Sequence, residues 1–112
     1  MIERRKYVRL QAPLGIRYRT ASGRGDEHRA LVRNLSGGGL SLAVRCDLRE
    51  GDLLRVSLEI PHLESPVDAL AEVVWLEPAM REPSREVGLK FRDIEAESLR
   101  HILEYVHTVG IG

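Results

Sequence analysis

Between residues 14 and 91 the dominant period of the apolar side chains is two, and this period constrains the fold more than any other property of the chain. Side chains on a β-strand point alternately to its two faces, so strict alternation marks strands with one buried face. Leu14, Ile16 and Tyr18 alternate with Gly15, Arg17 and Arg19. After the turn residues Ser22-Gly23-Arg24-Gly25, His28 to Arg33 reads as a second strand, and Leu40, Leu42 and Val44 then alternate with Ser41 and Ala43. Leu54, Val56, Leu58 and Ile60, set between Arg55, Ser57 and Glu59, form the clearest strand, and Val87, Leu89 and Phe91 the last. Val67 to Leu76 is more evenly apolar and is expected to be covered on both faces. Turn residues at Gly51-Asp52, Pro61, Pro66, Pro78 and Pro83 separate the runs. Six or so strands cut in this way suggest an all-β fold, a closed or nearly closed antiparallel barrel, because closure removes exposed edges.

The period changes only near the end of the chain. Leu99, Ile102, Leu103 and Val106 fall at helical spacing, predicting a terminal helix with Asp93 as its cap, Glu95 and Glu97 near its positive end, and Gly110 and Gly112 at its stop. Its single apolar stripe covers a barrel mouth or packs on a partner, and the barrel is the expectation. A chain of 112 residues is one domain, long enough to bury a core without a disulfide or metal staple. Cys46 is the only cysteine and reads as a small core filler. No apolar run approaches the ~20 residues of a spanning helix. Met1-Ile2-Glu3-Arg4-Arg5 also lacks the apolar stretch of a signal peptide, so a cytoplasmic location without membrane insertion is expected.

Net charge is zero but unevenly spread. Residues 1 to 33 carry nine basic side chains against three acidic ones, and the remainder is correspondingly acidic. An anion is therefore drawn to the N-terminal part, while the acidic remainder discourages general nucleic-acid binding. Two segments concentrate recognition chemistry: Arg5-Lys6-Tyr7-Val8-Arg9, and Asn34-Leu35-Ser36-Gly37-Gly38-Gly39. The first offers two guanidinium forks, which can grip a phosphate, bond to guanine O6 and N7, or stack on a purine. The second offers an amide, a hydroxyl and glycine backbone that permits close approach, although the same residues could form a hairpin turn with positive φ, capped by Asn34 and Ser36.

With RxxxR followed by NxSxxG, the chain resembles the PilZ family of bacterial cyclic di-GMP receptors, and Gly88-Leu89-Lys90-Phe91 is similar to that family's GxxF-like last strand. The resemblance implies a six-stranded antiparallel β-barrel with a C-terminal α-helix over residues 14–112, preceded by a flexible arm, residues 1–13. It further implies that Arg5 and Arg9 fold over cyclic di-GMP, that Arg4 holds an intercalated ligand dimer, and that Asn34, Ser36 and Gly39 contact the ligand. Asn34 stands where many members have Asp, which removes a charge-assisted bond to guanine. Trp75, the only tryptophan, either flanks a guanine or belongs to the barrel core.

The resemblance also implies a stand-alone receptor, expected to relay its signal by ordering the arm and docking to an effector protein, in control of motility, pili, biofilm or exopolysaccharide. It needs no cofactor other than its ligand, and homodimerisation is left open. No enzyme is expected, since His28, His62, His101 and His107 share no metal spacing and no nucleophile sits beside a base. Two alternatives stand beside the receptor. One is a PilZ-like protein-interaction module that binds no nucleotide, and the other is a small barrel for single-stranded nucleic acid, which the low aromatic content of 4% disfavours.

Overall fold

The computed structural model describes residues 14–22, 25–44, 47–78 and 84–110. Six strands, β1 (Leu14–Thr20), β2 (His28–Leu35), β3 (Gly39–Val44), β4 (Leu53–Glu59), β5 (Val67–Pro78) and β6 (Arg85–Asp93), precede one helix, α1 (Ala96–Gly110). Every pairing is antiparallel, and the sheet closes in the order β1-β2-β3-β6-β5-β4. The closing ladder joins β1 to β4, from Gly15 opposite Glu59 to Thr20 opposite Leu54. This is the closed barrel with a C-terminal helix that the alternation implies.

The inward positions are those the period selects. Ile16, Val32, Leu42, Val56, Leu58, Val73 and Val87 are essentially inaccessible and meet in one core. From α1, Ile102 and Val106 join that core fully buried, whereas Leu99 and Leu103 on the same stripe are only half-buried. The helix begins two residues later than a cap at Asp93 requires. Asp93 is the last residue of β6, opposite Leu70, and the Leu99 amide donates to the Glu95 carbonyl at 2.9 Å. The ladder to β5 claims Asp93 before the helix can.

Three irregularities interrupt the ladders, and each resets the alternation. In β2 the register slips between Val32 and Asn34, leaving Arg33 as the extra residue. In β6 the extra residue is Arg92, since Ala71 faces Phe91 while Leu70 faces Asp93. In β5 it is Val74, between Val73 opposite Leu89 and Trp75 opposite Gly88. A bulged residue is unpaired and shifts the phase of the residues after it. Val67, Ala69, Ala71 and Val73 point inward, but the insertion turns Trp75 outward and Leu76 back toward the core. The even apolar run of β5 therefore comes from a change of phase, and Val74 and Trp75 are exposed rather than covered.

The Gly51-Asp52 turn forms as expected. Gly51 has φ +93°, and the Arg49 amide donates to Asp52 Oδ2 at 3.0 Å. Ile102 is the point at which the helix is pinned to the barrel, so Ile102→Ala is expected to cost about 2–5 kcal/mol of stability through lost burial and a residual cavity. Urea unfolding followed by circular dichroism measures it, and a loss below about 1 kcal/mol would show that the helix is not integral to the core.

Candidate ligand-binding face

Directly opposed residues on neighbouring strands share a face, so the registers assemble a row across four strands. Asn34 of β2 lies opposite Ser41 of β3, Ser41 opposite Gly88 of β6, and Gly88 opposite Trp75 of β5. The neighbouring row, Leu35, Leu40, Leu89 and Val73, is buried in the core, which places Asn34, Ser41, Gly88 and Trp75 on the outer surface. Two bulges, at Arg33 and Val74, are what bring Asn34 and Trp75 to this side.

The indole lies flat over Gly88. A Cβ added there would collide with Trp75 Cε2 and Nε1, so glycine is required for the ring to rest on the sheet. Trp75 remains 38% exposed, with ring surface still open to solvent. Between the indole and Asn34, Ser41 is only 5% exposed and accepts a hydrogen bond from Asn34 Nδ2 at 2.9 Å. Asn34 Oδ1 is buried and has no hydrogen-bond donor among the described residues. An unsatisfied buried acceptor is costly, and the cost persists until a donor reaches it.

The glycine loop joins β2 to β3 just beyond the Leu35–Leu40 pair, at the rim beside Asn34 and Ser41. Ser36 Oγ accepts from the Gly38 amide at 3.2 Å and lies 3.4 Å from the Gly39 carbonyl, to which the Ser36 amide donates at 2.9 Å. The Phe91 amide donates to the Gly38 carbonyl at 3.0 Å, tying the loop to β6. Ser36 thus caps the turn as its residue type allows. Positive φ, however, is confined among the described glycines to Gly25 and Gly51, so the triple glycine does not serve a left-handed conformation. At Gly39 the demand is space, because any Cβ would strike the Leu89 carbonyl of β6.

Ion pairs flank the row. Arg33 approaches Glu86 at 3.5 Å, and Arg92 Nε donates to Glu72 at 2.8 Å. The structure therefore brings Asn34, Ser36, Gly39 and Trp75 to one face and its rim. Arg4, Arg5 and Arg9, together with the expected arm over residues 1–13, lie outside the described residues, as does Cys46. Sequence reasoning does not single out Ser41, and it names Gly88 only as part of the GxxF-like last strand, without a role at the site. The signal available for Ser41 is a polar residue at an outward position between Leu40 and Leu42; the contact that requires glycine at position 88 emerges only once the indole is placed. Among the described residues, no three His, Cys, Asp or Glu side chains are grouped to hold a metal ion. No helix of the described residues is long and apolar enough to cross a membrane.

The PilZ domain family model matches residues 3–108. No curated protein sequence matches the chain. Among solved structures it resembles Bacillus subtilis MotI/DgrA, an inhibitor of motility, with a TM-score of 0.84 at 24% identity over 98% of this chain and 53% of that one. It also resembles the PilZ domain of Escherichia coli YcgR with c-di-GMP (TM-score 0.72, 14% identity, 97% of this chain and 93% of that one). A third similar structure is the K. pneumonia MrkH–c-di-GMP complex (TM-score 0.76, 14% identity, 99% and 53%). The chain thus spans about half the length of MotI/DgrA and MrkH.

Gly88→Ala should lift the indole from the sheet, red-shifting Trp75 fluorescence and costing about 1–3 kcal/mol from overpacking. Unchanged emission with unchanged stability would show that the ring does not rest on Gly88.

Proposed function

This chain belongs to the PilZ domain family, and on that premise we propose that it is a receptor for cyclic di-GMP acting through the face built from Asn34, Ser41, Gly88 and Trp75. PilZ is a family of ligand-binding domains, and both YcgR and MrkH have structures with c-di-GMP. The observation that carries the proposal is the solvent-open indole held over Gly88, in one row with an amide two strands away whose acceptor is unsatisfied. Base–aromatic stacking contributes about 1–3 kcal/mol per base, and the ligand has two guanines.

In this reading a guanine stacks on the Trp75 ring and turns a donor edge toward Asn34. Ser36 and the Gly39 backbone mark the rim where a phosphate passes. Arg5 and Arg9 supply guanidinium forks for phosphate and for guanine O6 and N7, and Arg4 selects a ligand dimer. Ordering of residues 1–13 over the ligand creates a surface that an effector protein recognises, which is how a domain without a reaction of its own transmits a signal. The domain carries no catalytic role in this proposal.

The second reading, an interaction module that binds no nucleotide, is favoured by one observation. The Asn34 amide and the Ser36 hydroxyl are already engaged within the protein. Calorimetric titration with cyclic di-GMP, alongside Trp75 fluorescence, separates the two. Saturable binding that quenches Trp75 and weakens at least about tenfold in both Arg9→Ala and Trp75→Ala is expected. A ligand-to-protein ratio near two that falls to one in Arg4→Ala would assign the dimer to Arg4. Absence of heat and of quenching at high ligand concentration would leave the interaction module.

A further inference from the structure

On the opposite side of the barrel, a groove of about 790 Å³ runs over the outer surface of β1, β4 and β5 to the start of α1. One wall is cationic. Arg19 of β1 lies directly opposite Arg55 of β4, and Arg17, two residues along β1, is diagonal to Arg55 on the same face. Like charges directly opposed across strands destabilise a sheet. Neither the Arg19 nor the Arg55 side chain has an ion-pair or hydrogen-bond partner among the described residues. Arg17 reaches Glu27 only at 3.9 Å, and its Nε is buried with no acceptor among the described residues. The groove thus gathers an arginine pair without side-chain partners among the described residues and a third guanidinium held only by a long contact to Glu27, charges that a single oxyanion would compensate together.

The other wall is acidic. Asp68 lies two strands from Arg17, in the row Arg17, Ser57, Asp68, and Asp93 lies three strands from Arg19, in the row Arg19, Arg55, Leu70, Asp93. These separations are about 10–14 Å at ordinary strand spacing. Asp68 Oδ1 accepts from Ser57 at 2.6 Å, whereas Asp93 and Glu95 have no side-chain partner among the described residues. Carboxylates accept hydrogen bonds from hydroxyls, and among the described residues no aromatic side chain lines the groove to stack on a planar base.

We propose that this groove binds a phosphate monoester carried on a small polyhydroxylated molecule, with the phosphate clamped by Arg17, Arg19 and Arg55 and the hydroxyls held by Asp68, Asp93 and Glu95. Arginine suits the first task because its planar fork bonds to phosphate oxygens in pairs. The second follows from donor–acceptor chemistry, since carboxylates accept from sugar hydroxyls, and a hexose phosphate carries both kinds of group. The site lies across the barrel from the row containing Trp75, and it does not depend on the reading of that face.

The test is nuclear magnetic resonance of the nitrogen-15-labelled chain, following backbone amides and arginine Nε–H groups at constant ionic strength. Glucose 6-phosphate, inorganic phosphate, glucose and chloride are titrated in parallel. Saturable shifts at Arg17, Arg19, Arg55 and Ser57 are expected with glucose 6-phosphate, at least about tenfold tighter than with inorganic phosphate, and none with glucose or chloride. Arg55→Ala and Arg19→Gln, both at exposed positions, should each abolish saturation, whereas Arg33→Ala on the far side should leave it unchanged. Shifts that stay linear, equal affinity for inorganic phosphate and glucose 6-phosphate, or retention of binding in both groove variants would overturn the proposal.

Discussion

A sheet that closes on itself has no unpaired edge, so each residue of each strand belongs either to a filled interior or to an outer face open to water. The β1–β4 ladder imposes that choice on the whole molecule. Two-residue alternation is then an obligation, since a slip of one position would exchange core and surface along an entire strand. The interior satisfies it with branched aliphatic side chains, and α1 adds Ile102 and Val106 to the same core.

The bulges reconcile that obligation with the outer chemistry. Without an extra residue at Val74, continuous alternation from Val73 would send Trp75 into an interior already filled by Val73 and Leu89. With it, the indole lies on Gly88 and its open face becomes a surface feature. Arg33 does the same for Asn34. The glycines of the face serve contact rather than turn geometry, Gly88 beneath a ring and Gly39 against a carbonyl. Opposite them, where no bulge intervenes in the β1–β4 ladder, regular pairing sets Arg19 against Arg55 and leaves two charges facing each other. The two outer faces thus have different origins, one in interruption of the ladder and one in its regularity.

Much of the fold is legible in the residues. Leu14, Ile16 and Tyr18, or Leu54, Val56 and Leu58, announce their strands because burial on one face is the physical cause of alternation. Strand ends are less so: β2 runs on to Leu35 beyond the expected Arg33, and β5 to Pro78. The run from Val67 to Leu76 reads as doubly covered because apolar content cannot reveal a change of phase. Asp93 reads as a helix cap because a capping residue is a local signal, whereas the ladder that engages it with Leu70 is not.

For the site, residue types in Asn34, Ser36, Gly39 and Trp75 make the candidates visible, but not their relation. Asn34 and Trp75 stand far apart in the chain and become members of one row only through β3 and β6. Gly88 acquires meaning from the indole above it, and Ser41 from the Asn34 amide that donates to it. The strands, the helix stripe and the inventory of recognising groups can be read from the residues alone, since they follow from local periodicity and side-chain chemistry. Strand order, the phase after each bulge and the choice of groups that share a face are settled only in three dimensions, because register is set by pairing between segments remote in the chain and by which side chains the closed interior can hold.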